Sequence, residues 1–140
     1  MKAHILLVED NAIVLGATRL LLSRENYRVT TATQVAEAVE RARDNPDLDL
    51  VITDYHLAGG STGRQVITAL REIRGPTFRA IVVTGDTTSV VHAFDGDNYV
   101  RWLCKPMSSA QLLAAVRGFL PPHGVSLADT GTDSATLTRG

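Results

Sequence analysis

ILLVEDN, residues 5–11, runs through four apolar residues and ends in two adjacent carboxylates, Glu9 and Asp10. An apolar run without polar alternation marks a strand buried on both faces, as in a parallel sheet. Adjacent like charges disfavour each other's ionised form. The pair is therefore either a solvated turn or a place where positive charge sits.

Four more runs share the character of the first: Tyr27–Thr31, Leu50–Thr53, Ala80–Thr84 and Tyr99–Cys104. Segments of helical period separate them. Val35, Ala38, Val39 and Ala42 fall at i, i+3, i+4, i+7, as do Val66, Ala69, Leu70 and Ile73, and Leu112, Val116 and Phe119 keep one face of the last segment. Ser108 and Gln111 form an S-x-x-Q capping box. Asn26 stands where the first helix should stop, in a residue type that tolerates the left-handed position. The order is β-α five times over, which implies right-handed βαβ units and a parallel sheet covered on both faces. At 140 residues the chain is too short for an eight-stranded barrel, leaving an open doubly wound sheet.

Composition narrows the function. The chain is 44% hydrophobic and 21% charged with a formal net charge of -1, which fits a globular domain and lacks the basic excess of nucleic-acid binding. Its single cysteine, Cys104, allows no internal disulfide and reads as a small core residue. No apolar stretch approaches the roughly 20 residues of a membrane helix, and the expectation is a soluble cytoplasmic domain. Residues 1–120 read as that domain. Pro121 and Pro122 stop the last helix. The stretch from 121 to 140 reads as a flexible tail or linker without aromatic residues.

Each of strands one, three, four and five ends in a polar residue: Glu9 and Asp10, Asp54, Thr84, Lys105. In parallel sheets ligands bind outside the C-terminal strand ends, so three carboxylates, a hydroxyl and an ammonium should meet in one cleft. Three acids suit a hard divalent cation such as Mg²⁺, which takes oxygen ligands and keeps water. Asp54 beside that cation and Lys105 could act as a nucleophile toward phosphorus, giving an acyl phosphate. With twelve Arg and only two Lys in the chain, a Lys at a strand end suggests a need for a compact point charge. Taken singly, each residue has an ordinary reading: a solvated turn for Glu9 and Asp10, a helix cap for Asp54, a strand end for Thr84, a surface charge for Lys105. His4, His56, His92 and His123 show no metal spacing.

The pieces "VEDN" at 8–11, "ITDYHL" at 52–57, "VVTG" at 82–85 and "LCKPM" at 103–107, in this order and spacing, resemble the receiver domains of bacterial two-component response regulators over about residues 3–120. The resemblance implies a flavodoxin-like fold with strand order 2-1-3-4-5 and helices on both faces. It implies phosphoryl transfer from a sensor histidine kinase or phosphotransfer protein onto Asp54. It assigns Mg²⁺ to Asp10 and Asp54 directly, to Glu9 through water, and to the backbone carbonyl of His56. Thr84 and Lys105 would hold the phosphoryl group, and the Lys105–Pro106 bond would be cis. Trp102 stands where the family has its rotating aromatic. Strand alternation places it opposite Lys105, toward the surface of the fourth and fifth helices. The "TDYHL" loop resembles receivers attached to hybrid histidine kinases. The chain departs from the pattern in Ala58, where many receivers have Pro, in a loop "LAGGSTG" one residue longer than usual, and in Asn98-Tyr99, where Gly-Ala is common. Two other functions remain open. A pseudo-receiver would bind partners without phosphorylation, against which the intact Asp54, Asp10 and Lys105 argue. A phosphohydrolase would need an acid two residues after its nucleophile, where this chain has His56.

Overall fold

The computed structural model describes residues 2–85, 94 and 96–120. The chain builds β1 (His4–Val8), α1 (Ala12–Arg24), β2 (Arg28–Ala32), α2 (Val35–Asp44), β3 (Leu50–Asp54), a short 3-10 turn (Ala58–Gly60), α3 (Gly63–Arg74), β4 (Arg79–Thr84), β5 (Val100–Cys104) and α4 (Ser109–Phe119). The strands form one sheet in the order β2-β1-β3-β4-β5, every pair parallel. The expected strand order is thus the observed one. The helix expected between β4 and β5 lies outside the described residues, as do His92, His123 and the stretch 121–140.

Residue alternation splits the core in two. Leu6 and Val8 of β1, Val51 of β3, and Ala80 and Val82 of β4 face α2 and α3, where Ala38, Val66, Ile67 and Leu70 cover them. Ile5, Leu7, Leu50, Ile52, Ile81 and Val83 face the other way, onto Leu22 of α1 and Leu112 and Val116 of α4. The three central strands are therefore buried on both faces, as their composition implies. The outer strands β2 and β5 are only partly buried, because each has one neighbour in the sheet.

Local chemistry sets the boundaries. The Asn11 side chain caps α1 by accepting from the backbone of Ile13 and Val14. Asn26 takes a positive φ of 68° just past α1, where a left-handed turn closes a helix. Capping boxes open α3, through Thr62 and Gln65, and α4, through Ser108 and Gln111. Each strand differs from its expected run by one residue at one or both ends, and in β2 and β5 the first expected residue drops out. Tyr27 precedes β2, its N–H held by the Leu22 carbonyl of the helix end, and Tyr99 belongs to the turn before β5.

Two side chains also differ. Cys104 is exposed rather than core, because it ends an edge strand. Trp102 lies half-buried on the α2–α3 face of the sheet, against the Leu6–Val82 core, while the last helix covers the opposite face. Of the expected surface of the fourth and fifth helices, Trp102 thus does not face the fifth, which is the last helix here, and the fourth lies outside the described residues. The parity of strand alternation holds, since neighbouring Leu103 faces the α4 side.

Candidate functional site

The loops at the C-terminal edge of the sheet carry the polar residues to one place. Glu9 and Asp10 follow β1, Asp54 closes β3, Thr84 closes β4, and Lys105 follows β5. Glu9, Asp54 and Thr84 are buried, whereas Asp10 is exposed. Glu9, Asp10 and Asp54 each bring a carboxylate oxygen within 4.8 Å of the others. The Lys105 ammonium lies 2.9 Å from Asp54 Oδ1.

Backbone bonds hold these groups at fixed heights. Glu9 N–H donates to Ala32 at 3.0 Å, Tyr55 N–H to Val83 at 2.8 Å, and Lys105 N–H to Thr84 at 2.8 Å. Each strand end is thereby tied to its neighbour one residue beyond the last ladder pair. The start of α3 presses against the back of Asp54. A Cβ at Gly63 would lie 2.6 Å from the Asp54 carbonyl oxygen, so only glycine fits without moving the strand that carries Asp54. The loop between them doubles back through a bridge of His56 to Thr62, its tip formed by Gly59 and Gly60 at positive φ. His56 is exposed, its ring edge-on to Tyr55 at 5.0 Å between centroids. The Lys105–Pro106 peptide is cis.

The electrostatics show three acids crowded against one cation. Burial raises Glu9 to about 7; the Asn11 N–H bond and Lys105 oppose this, and Asp54 adds to it. Burial acts to lower Lys105, but the hydrogen bond and charge of Asp54, with the charges of Glu9 and Asp10, outweigh it and leave Lys105 raised. Among the described residues one ammonium faces three carboxylates, which leaves excess negative charge. That is the arrangement a small oxygen-seeking dication neutralises. The donor set, all oxygen with one exposed member open to water, fits Mg²⁺.

Trp102 stands apart from the acids. Its ring stacks at a tilt of 34° on Tyr55, 5.9 Å between centroids, which links it to the residue that follows Asp54. Asn11, Gly63 and Tyr55 were not legible as site residues. The Asn-before-helix pattern is the one signal that could have shown Asn11, since Asn is a favoured cap. Its N–H also donates to Glu9 Oε2 at 3.1 Å.

Comparison with known proteins agrees with this geometry. A family model described as the response regulator receiver domain matches residues 5–117. The chain is 31% identical over 134 residues to the uncharacterized transcriptional regulatory protein YkoG of Bacillus subtilis, covering 94% of this chain and 57% of that protein. It is 27% identical over 121 residues to the transcriptional regulatory protein ResD of the same organism, covering 85% and 48%. The chain thus spans about half the length of these curated relatives. A response regulator receiver protein from Sinorhizobium medicae superposes with a TM-score of 0.73 at 30% identity, over 84% of this chain and 94% of that one. The receiver domain of sensor histidine kinase PA1611 from Pseudomonas aeruginosa, solved with a magnesium ion in its cleft, superposes with a TM-score of 0.73. It is 23% identical over 85% and 98% of the two chains, a likeness of fold.

Proposed function

This chain belongs to the response regulator receiver family, and on that premise we propose that Asp54 accepts the phosphoryl group of a histidine kinase or phosphotransfer partner. One observation carries the assignment: among the described acids Asp54 alone is both buried and 2.9 Å from the Lys105 ammonium, with Glu9 and Asp10 beside it. A carboxylate oxygen of Asp54 attacks phosphorus, the P–N bond to the partner histidine breaks, and an acyl phosphate forms. Lys105 and the Thr84 hydroxyl lie at the neighbouring strand ends and would take the phosphoryl oxygens. Asp10, Asp54, Glu9 through water, and the His56 carbonyl would hold Mg²⁺. When bound, the cation would neutralise charge on the transferring group.

Partner docking is supported by α1, whose first residues rim the cleft. Ile13, Val14 and Leu20 are exposed by 84%, 42% and 50%, a helical apolar face suited to packing against a helix of the partner. Among the described residues no helix is long and apolar enough to cross a membrane, and we take the domain as cytoplasmic. We take the output to be a change at Trp102 rather than chemistry on a further substrate, because no acid stands two residues after Asp54. No observation favours the unphosphorylated pseudo-receiver.

Incubation with acetyl phosphate and Mg²⁺, followed by peptide mapping, tests the assignment. Modification is expected on Asp54 and to vanish in Asp54→Asn, which keeps the shape and loses the nucleophile. Equal labelling of the variant overturns it.

A further inference from the structure

β5 carries Trp102 and ends one residue short of Lys105, yet it is an edge strand paired to β4 alone. What fixes its starting end is a clasp far from the cleft. Arg71, in the last turn of α3, meets Asp97 as a fork, Nη1 to Oδ2 at 2.5 Å and Nη2 to Oδ1 at 3.3 Å. The same guanidinium donates to the Phe78 carbonyl from Nε at 3.2 Å and from Nη2 at 3.1 Å, and lies 5.9 Å from the Phe94 ring centre. Both partners are largely buried, with side chains 15% and 19% exposed. Asp97 in turn organises the turn into β5. Its Oδ1 accepts from Tyr99 N–H at 2.9 Å, its carbonyl accepts from Val100 N–H at 3.4 Å, and its own N–H donates to Phe94. The Tyr99 carbonyl then accepts from Ala80 N–H, the first bond joining this turn to β4.

A planar guanidinium meeting a carboxylate with two parallel bonds fixes orientation as well as distance. Here the fork joins the end of one helix, the entry to β4 and the turn into β5. β5 is five residues long, about 17 Å at strand rise, and its pairing with β4 carries a shift at one end toward the other. Phe78 and Phe94, which the Arg71 group touches, belong to the same buried face as Trp102.

We propose that Arg71, through Asp97, is a positioning residue: it sets where β5 sits, and with it the packing of Trp102 and the reach of Lys105 to Asp54. The Lys105 part rests on the phosphoacceptor reading, whereas the Trp102 part does not. Couplings carried by packed networks of this kind amount to about 0.5–2 kcal/mol, or about two- to thirtyfold in a rate.

Arg71→Lys, which keeps the charge and loses the fork, Asp97→Asn, and the double variant test it. Three readouts are taken well below the melting temperature: urea stability, the rate of Asp54 labelling by acetyl phosphate, and acrylamide quenching of Trp102, the single tryptophan. Labelling is expected to slow by about two- to thirtyfold, and Trp102 quenching to rise. The double variant is expected to match the singles, since the fork acts as one unit. Folded variants that lose urea stability but keep wild-type labelling and quenching would overturn the proposal and leave the clasp a strut. Asp97→Asn is the milder change and serves if Arg71→Lys does not fold. If the wild type takes no label at all, the phosphoacceptor reading falls, and quenching alone still decides whether the clasp positions β5.

Discussion

The two ends of the sheet treat charge in opposite ways. At the N-terminal end charged groups of the described residues meet partners of opposite sign or carbonyls. His4, fully buried, contacts Asp47 at 3.0 Å through Nδ1 and Thr30 Oγ1 at 2.6 Å through Nε2, and its backbone N–H donates to Asp49. Arg28 reaches the same Asp47 at 2.7 Å, and Arg74 and Arg79 donate to the carbonyls of Leu48 and Phe119. Two acids here, Asp97 and Asp47, are held below their ordinary values. Asp97 is lowered by the Arg71 hydrogen bond, against its burial, and Asp47 by its His4 and backbone bonds and by Arg28, again against burial. At the C-terminal end three carboxylates share one ammonium and Glu9 is raised to about 7. One end spends its charges on holding loops in place. The other keeps like charges together at a cost in stability, which is how a site prepared for a cation and a phosphoryl group differs from a structural network.

The largest expected effect removes a carboxylate from the crowded end. Asp10→Ala is expected to lose about a hundredfold in Mg²⁺ affinity, the upper range seen when support of a metal site is removed. Calorimetric titration with Mg²⁺ measures it, and unchanged affinity would break the contrast, because Asp10 would then be an ordinary surface acid.

At the paired end, Asp97→Asn is expected to destabilise the fold by about 2 kcal/mol near neutral pH, the usual scale for hydrogen bonds to a charged group. Asp97 is lowered on folding, so its contribution is fully present above the unfolded value near 3.8. It is lost as pH falls through the lower folded value. Urea unfolding of wild type and variant should therefore differ by a constant amount above about pH 4 and converge in stronger acid. A gap that persists undiminished in strong acid would mean the carboxylate charge is not what holds the turn.

Glu9→Gln should act in the reverse direction and by less. The folded protein keeps a proton on Glu9 up to about 7, against 4.5 for the free group. Stability from this residue is thus greatest below 4.5 and declines as pH rises toward 7. In metal-free buffer above that range, Glu9→Gln is expected to be more stable than wild type by on the order of 1 kcal/mol, reduced from the full shift by nearby solvent. Below the range the advantage should disappear, and added Mg²⁺ should narrow it. A destabilised variant at high pH would show that Glu9 is structurally satisfied, like the acids at the other end.

The smallest effect belongs to neither end. Removing residues 124–140 is expected to change stability by less than about 0.5 kcal/mol and to leave Asp54 labelling intact, because that stretch offers little apolar surface. A larger fall in melting temperature would mean it packs on one of the two ends.

Much of the contrast was written in the chain. The unalternated apolar runs of β1, β3 and β4 identify strands buried on both faces, and the position of a polar residue just after each run puts Glu9, Asp10, Asp54, Thr84 and Lys105 at one edge. Both follow from local periodicity and from the single direction of parallel strands, properties that need no long-range information. Ser108 with Gln111 and the Asn26 stop are equally local, since a cap bonds within a few residues. The tertiary structure decided the rest. Cys104 is exposed and Tyr99 lies outside its strand because β5 is an edge, and strand order assigns edges only after the whole sheet is assembled. Trp102 takes the α2–α3 face because parity says only that it opposes Lys105, while the helix covering each face is chosen by the crossovers. Gly63 is confined by the Asp54 carbonyl, and Arg71 finds Asp97, across separations that no periodicity in the sequence encodes.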